Sequence, residues 1–246
     1  MQGFDPRTSF GYEISKRYDA VSRGDEAETV AFLAQLAGGG DALEFAVGSD
    51  RIAVPLMESG IRVDGIELSQ DMIDRLREKS GGGEIEVTLG DMAEVGTGRT
   101  YRLVYLVYNT IGNLLSQHEQ VQCFVNARRH LTDDGVFVLE CRVPSAPSRL
   151  GHQFVDAEQI AVDHVVLDVC RYDPLTQILD ENHVRICADG ITLSPIRLRL
   201  AHPPEFDLMA RIGGLRLRER WGGWRGEPFT PASWRHVSVY EPTTQT

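Results

Sequence analysis

The sequence has 246 residues, 42% of them hydrophobic, and a formal net charge of −11. That length and composition fit one elaborated α/β domain, or two small domains, of an ordinary globular protein. The acidic balance argues against nucleic acid or an anionic membrane as a partner, because an acidic surface gains nothing from counterion release. No stretch approaches the ~20 apolar residues that span a bilayer, and the N-terminal stretch lacks the apolar core of a signal peptide.

The cysteine pattern predicts free thiols. None of the cysteines forms a C-x-x-C pair, and no histidine spacing completes a zinc site. Reduced thiols are typical of cytoplasmic proteins, so we expect a cytoplasmic chain without a metal site. The cysteines are Cys123, Cys141, Cys170 and Cys187.

The first half of the chain alternates predicted helices and strands. Capping-box spacing predicts helix starts at Asp25, with Glu28, and at Ser116, with Glu119. The triple glycine at 38–40 is placed to end the first helix. The strands are nearly continuous apolar runs, which favour a parallel sheet covered on both faces. The predicted strands are ALEFAV, IRVDGIEL, EIEVTLGD, RLVYLVY and VFVLEC, and Ser69 is predicted to cap the helix QDMIDRLREKS.

The pattern changes after Val143. Residues 152–200 alternate apolar and polar side chains, and the segments DPLT and ADG are typical of hairpin turns. We therefore expect an inserted antiparallel sheet that covers the substrate or forms a dimer surface. The helix PEFDLMARIGG and the strands LRLRERWGG and HVSVYEP then complete the core, with the last strand antiparallel. The expected divisions are an N-terminal helical lid at 1–37, a cofactor-binding core at 38–150, the insert at 151–200 and the completing segment at 201–246.

Acidic residues lie at the ends of three consecutive predicted strands, at Glu44, Glu67 and Asp91. In open α/β sheets the ligand binds outside the carboxyl ends of the strands. Gly48 would let the backbone approach a ligand closely there. Glu67 follows it at the spacing of an acid that accepts hydrogen bonds from two ribose hydroxyls. The pattern predicts a nucleotide-like cofactor.

The glycine pattern separates two kinds of cofactor. A dinucleotide turn needs a later glycine so that the pyrophosphate can rest on the helix, but the segment here is GSDRIA. Asp50 would meet that pyrophosphate with the wrong sign of charge, whereas a cationic sulfonium without phosphate tolerates an acidic turn. This favours S-adenosylmethionine over a nicotinamide dinucleotide. We expect Asp50 to accept φ > 0, with its side chain directed away from the ligand and Arg51 screening its charge.

These segments resemble the class I S-adenosylmethionine-dependent methyltransferases. The resemblance runs from Tyr18 to about Val143, through ALEFAVGSDRIAVPL, VDGIELSQDMIDRL, VTLGDMAEV and LVYLVYNTIGNLL, and returns in the final helix and strands. It implies an α/β fold with a seven-stranded, mostly parallel Rossmann-like sheet whose last strand is antiparallel, and S-adenosyl-L-methionine as the cofactor. The cofactor-binding residues that it implies are Tyr18, Glu44, Ala46, Gly48, Ser49, Glu67, Leu68, Met72, Asp91, Met92, Tyr108 and Asn109.

The chain is most similar in pattern to small-molecule methyltransferases of bacterial secondary metabolism, including the deoxyaminosugar N-methyltransferases. Those share an inserted antiparallel sheet and an SSIGHL-like segment, which here is NTIGNL, so Asn113 stands at their histidine position. The implied reaction is N- or O-methylation of a small molecule. An amine needs only to be delivered neutral, whereas a hydroxyl benefits from a general base. The catalytic candidates are Asn113, His152, which follows strand five, and Tyr18, which lies in the expected lid.

Two other classes of protein stay open on the sequence alone. One is a nicotinamide-dependent oxidoreductase, which the glycine pattern disfavours. The other is a non-catalytic relative whose cofactor turn Asp50 has spoiled. The expected partner is a small-molecule substrate, and a homodimer is a further possibility.

Overall fold

The computed structural model describes residues 1, 4, 24–144 and 153–243. Two predicted site residues, Tyr18 and His152, lie outside the described residues. So does most of the predicted N-terminal lid, which therefore stays a prediction.

The first part of the described chain alternates helices and strands, as predicted. The elements in chain order are α1 (Glu26–Ala37), β1 (Ala42–Phe45), α2 (Ala53–Glu58), β2 (Val63–Glu67), α3 (Gln70–Arg77), β3 (Glu86–Leu89), β4 (Tyr101–Leu106), α4 (Gln117–His130) and β5 (Leu131–Arg142). Short 3-10 helices cover Gly82–Glu84 and Thr110–Asn113.

The second part begins with four strands that form the insert and ends with the elements that complete the core. These are β6 (Gln153–Ile160), β7 (His164–Asp173), β8 (Ile178–Cys187), β9 (Gly190–Arg199), α5 (Pro203–Ile212), β10 (Leu215–Trp221) and β11 (Arg235–Pro242).

Seven strands form one sheet in the order β10-β11-β5-β4-β1-β2-β3. β1 pairs in parallel with β2 and with β4, β2 pairs in parallel with β3, and β4 with β5. β11 lies between β5 and β10 and is antiparallel to both. The predicted fold class is confirmed. Because β2 and β4 flank β1 on opposite sides, the strand order reverses at β1, and a ligand is expected outside its carboxyl end.

Apolar layers cover both faces of this sheet, which is why its inner strands are apolar at nearly every position. On one face, the ring of Phe124 meets Phe137 and Tyr240 edge to face, each with centroids 5.4 Å apart. On the other face, Leu33 of α1 and Leu56 of α2 are fully buried. Each such side chain stabilises the fold by about 1.5–3 kcal/mol on burial.

Two of the three predicted helix caps are confirmed. The Ser69 hydroxyl accepts a hydrogen bond from the backbone N–H of Met72, and Ser116 and Glu119 form a complete capping box. The capping box predicted for Asp25 and Glu28 is wrong, because the Asp25 side chain makes no cap hydrogen bond. The carboxylate of Asp25 pairs with two distant arginines instead.

The inserted antiparallel sheet is also confirmed, with strands in the order β6-β7-β8-β9. Hairpins join β7 to β8 and β8 to β9 at the predicted DPLT and ADG segments. Arg199, the last residue of β9, anchors this insert sheet to the core. Its guanidinium donates to Gln120 of α4 and pairs with Glu205 of α5, both at 2.5 Å.

Helix α1 packs against α2 and β4 and belongs to the core layer of the main sheet. Among the described residues, no helix has the length and apolar character needed to cross a membrane.

Candidate functional site

The turn after β1 has an unusual backbone. Ala46, Gly48 and Asp50 have φ values of 53°, 62° and 119°. Left-handed residues other than glycine cost free energy and tend to persist at functional sites. A Cβ added to Gly48 would meet nothing closer than the Ala46 carbonyl oxygen at 4.0 Å, so the space above this backbone is open.

Glu67 joins this turn to the turn after β2. One carboxylate oxygen accepts a hydrogen bond from the Gly48 N–H at 2.9 Å, and the other accepts one from the Ser69 N–H at 2.8 Å. Burial raises the pKa of Glu67, while its backbone hydrogen bonds lower it. Since a carboxylate offers about four acceptor positions, Glu67 keeps capacity to accept a further hydrogen bond from a ligand.

Asp50 adopts the positive φ expected of it, but its predicted charge partner was wrong. Lys79 Nζ lies 2.6 Å from the Asp50 carboxylate, with both side chains about a quarter exposed. Arg51 instead pairs with Asp25 at 3.4 Å and lies over the Tyr108 ring, 5.0 Å from its centroid. The lysine lies 29 residues from Asp50, too far along the chain for local spacing to reveal.

The chain after β4 is also held in a strained form. Tyr108 and Asn109 both have φ of 59°. The Tyr108 N–H donates to the Glu140 carboxylate at 2.6 Å, and Asn109 Oδ1 accepts from the Arg142 N–H at 3.2 Å and from the Cys141 thiol. Glu140 is therefore a site residue that the sequence interpretation missed, although an acid inside the apolar run VFVLEC was a usable signal.

A second buried acid lies beneath the turn. The Tyr105 hydroxyl donates to Glu44 at 2.9 Å, and both side chains are buried. Burial raises the pKa of Glu44 to about 8, and the hydrogen bond from Tyr105 opposes this rise. Glu44 thus lies under the candidate site, where it interacts electrostatically with Glu67 and Arg51.

The remaining predicted residues lie around the same edge of the sheet. The Gly90 N–H donates to the Glu67 carbonyl at 2.8 Å, which brings the end of β3 beside the end of β2. Asp91 accepts from the Ala93 N–H at 2.8 Å. Asn113 ends the 3-10 helix that follows β4. Ser49, Met72 and Met92 are buried, and Leu68 is exposed.

Comparison with known proteins identifies the family of this chain. A family model described as a methyltransferase domain matches residues 42–135. The structure of the CcbJ methyltransferase from Streptomyces caelestis is similar at 35% identity and a TM-score of 0.91, covering 98% of this chain and 100% of that chain. The chain belongs to the class I S-adenosylmethionine-dependent methyltransferases.

Two further comparisons agree. The methyltransferase is similar to the cypemycin N-terminal methyltransferase of a Streptomyces species, at 27% identity over 206 residues that cover 81% of this chain and 82% of the relative. It shares its fold with SAM-bound CalS10, an amino pentose methyltransferase from Micromonospora echinaspora involved in calicheamicin biosynthesis. That likeness has a TM-score of 0.69 at 19% identity and covers 94% of this chain and 96% of that chain. The methyltransferase acts on small molecules with S-adenosylmethionine as its cofactor, which decides against the oxidoreductase and the non-catalytic alternative.

The residues of the methyltransferase fit this cofactor. The open space over Gly48 permits the close backbone approach that a bound cofactor needs. Glu67 retains acceptor capacity for hydroxyl groups, and the acids around the turn suit a sulfonium cation that carries no phosphate. The assignment of individual residues to parts of the cofactor stays a prediction.

Five other histidines lie in the core or at the ends of helices and strands. His130 is buried, accepts a hydrogen bond from the Thr97 N–H at 3.1 Å and lies 2.8 Å from the Asn126 carbonyl oxygen. His236 is also buried, and burial lowers its pKa to about 3. His118 lies in the first turn of α4, His202 is the N-cap of α5, and His164 begins β7 beside Asp163.

Proposed function

We propose that this methyltransferase transfers a methyl group to the nitrogen of a small-molecule amine. The observation that carries the proposal is the concentration of carboxylates at the carboxyl edge of the sheet. Glu67 and Glu140 are buried there, and Asp50 and Asp91 are partly buried. Such a site favours cations, and amines are cationic at neutral pH whereas alcohols are not.

The two relatives support the same choice of acceptor atom. One is named for methylation at an N-terminus and the other for an amino pentose. An amine, once neutral, attacks without a dedicated base, so Asn113 in place of the related enzymes' histidine removes no group that N-methylation requires.

The chain's own residues would hold and orient the reactants. When bound, S-adenosylmethionine supplies a methyl group already activated on its sulfonium. Glu67 would accept hydrogen bonds from the ribose hydroxyls, and Asp91 with the Met92 N–H would contact the adenine edge. Tyr108 and Asn109 would form the wall beside the methionine part. The protein then contributes mainly proximity and alignment for an in-line displacement.

Methyl transfer to paired acceptors tests this proposal. The enzyme would be incubated with S-adenosylmethionine and a panel of amino sugars and short peptides with free N-termini, each matched to its hydroxyl analogue, with products detected by mass spectrometry. We expect a mass gain of one methyl group on amines only. Methylation confined to the hydroxyl analogues would contradict the proposal.

We further propose that the enzyme is a cytoplasmic homodimer that does not act on nucleic acid. The net charge of −11 and the four free cysteines support the partner and the location. One face of the insert sheet supports the dimer, because its apolar side chains Ile191 and Leu193 are 68% and 60% exposed, and Val155, Val169 and Ile186 on the same face are also exposed. Light scattering of the wild type and of Ile191→Asp tests the proposed dimer. We expect the wild type to be a dimer and Ile191→Asp to be a monomer, and a monomeric wild type would refute the proposal.

A further inference from the structure

The insert sheet has two chemically different faces, and register defines them. Direct cross-strand pairs align Cys170 with Glu181, and Asp168 with His183. Side chains on alternate residues point to opposite faces. We call the face that carries these four side chains the inner face; its members include Phe154, Asp156, Asp168, Cys170, Glu181, His183, Arg185, Ser194, Ile196 and Leu198.

The inner face adjoins the candidate site. Leu198 packs on the 3-10 helix after β4, since a Cβ added to Gly112 would lie 3.3 Å from Leu198 Cδ2. Arg142, whose N–H donates to Asn109, acts electrostatically on Glu181. One end of the inner face therefore lies beside Asn109 and Asn113, and the rest of the face extends away from them.

Glu181 is the notable residue of this face. It is only 8% exposed, yet its one hydrogen-bond partner among the described residues is the Cys170 thiol, a weak donor with the sulfur 3.7 Å from the carboxylate oxygen. Burial is the largest influence on the pKa of Glu181 and raises it. Nearby Asp168 also raises this pKa, whereas His183 and Arg142 lower it. A buried carboxylate without a strong donor costs free energy that a ligand's N–H groups would recover.

The neighbouring charges make the inner face acidic. His183 Nδ1 lies 2.6 Å from Asp168 and 3.3 Å from Glu158. The charge of Asp156 raises the pKa of the Cys170 thiol, so Asp156 belongs to the same cluster. Among the described residues, the arginines beside this cluster are Arg142 at the base and Arg185, which lies two cross-strand pairs beyond His183 toward the far end of the sheet. Along the described part of the face, carboxylates outnumber arginines.

We propose that Glu181 binds the amino group of the methyl acceptor, with Asp168, held by His183, extending the acidic wall beyond it. This inference rests on the proposed N-methylation and names the residue that selects a cationic acceptor. The chemistry required of the ligand is an ammonium or neutral amine with N–H groups, carried on a small polar scaffold that fits between the inner face and the carboxyl edge of β4 and β5.

Binding of two matched sugars tests this inference without knowledge of the natural acceptor. Glucosamine and glucose would be titrated, up to about 50 mM, into the enzyme saturated with S-adenosylhomocysteine, and binding would be followed by NMR. We expect wild type to prefer glucosamine at least about tenfold, a ratio that corresponds to roughly 1.4 kcal/mol. Glu181→Gln should bring the ratio close to one, and Glu181→Asp should leave part of it.

The control is Glu86→Gln, which changes an exposed acid at the opposite, amino-terminal end of β3 and should keep the wild-type ratio. Unchanged affinity for S-adenosylhomocysteine shows that each variant is folded. Equal or undetectable binding of the two sugars by wild type, or an unchanged ratio in folded Glu181→Gln, would overturn the inference. The proposed function fails separately, through methylation of hydroxyl analogues alone in the transfer assay.

Discussion

Replacement of Glu67 by alanine should weaken cofactor binding by two routes. The structure shows two hydrogen bonds, at 2.9 and 2.8 Å, that fix the Gly48 turn and the Ser69 turn on the Glu67 carboxylate. The proposed ribose contact would add charge-assisted hydrogen bonds. Bonds to a charged group contribute about 1.5–3 kcal/mol each, and part of this is lost to rearrangement, so we expect binding to weaken by about 1–3 kcal/mol.

Calorimetric titration with S-adenosylhomocysteine measures this loss, with Glu86→Ala as the matched control at the far end of the sheet. The 2′,3′-dideoxy analogue separates the two routes, because it lacks the hydroxyls that Glu67 would bind. Glu67→Ala should reduce affinity for the analogue much less than for the parent compound. Equal losses for both ligands would show that Glu67 acts only by holding the turns, and folded Glu67→Ala with wild-type affinity would refute the assignment altogether.

Three further predictions concern the acids around the turn. Lys79→Met should weaken S-adenosylhomocysteine binding by about 1 kcal/mol, because it removes the cation that lies 2.6 Å from the Asp50 carboxylate in the turn expected to hold the cofactor, and adding Asp50→Gly should restore the affinity measured by calorimetry. Burial raises the pKa of Glu44 from 4.5 to about 8. The stability that the protonated carboxyl contributes is therefore complete below its pKa in the unfolded chain and is lost as the pH rises toward 8. Glu44→Gln should therefore gain in Tm relative to wild type between about pH 5 and pH 8.5, and a constant difference in Tm would contradict this. Glu140→Ala should release the Tyr108 backbone and lower the free energy of unfolding by about 1–3 kcal/mol in urea, and no loss would show that the contact is dispensable.

Elements with local signals were predictable from the sequence. Continuous apolar runs identified the strands of the main sheet, because both faces of that sheet are covered. Ser116 and Glu119 formed their capping box because both partners lie within one helical turn. The alternating pattern of the insert identified an antiparallel sheet, since its two faces meet different surroundings.

Long-range pairing was not predictable in the same way. Asp25 has the spacing of a helix cap, yet its carboxylate pairs with Arg235 at 2.5 Å, 210 residues away, and with Arg51. Glu28 pairs with Arg225 rather than with the helix start. Charged hydrogen bonds to these arginines outcompete a cap, and only the fold brings the partners together.

The site shows the same division. Gly48 and Glu67 were identifiable because a fixed spacing separates the turn from the next strand end. Glu140 and Lys79 were missed, because their roles depend on which strands and helices become neighbours. The role proposed for Glu181 was not predictable for a further reason: alternation predicts two faces for the insert sheet but does not say which face meets the core.

Calorimetric titration of the wild-type chain with S-adenosylmethionine, S-adenosylhomocysteine and NADH tests the central claim most directly, because it asks which cofactor the turn at Gly48 accepts. We expect both S-adenosyl compounds to bind and NADH not to bind. Gly48→Val should abolish their binding in a folded protein, since it places a branched side chain over the open backbone at a positive φ. Binding of NADH in preference to the S-adenosyl compounds, or their undiminished binding to folded Gly48→Val, would contradict the account.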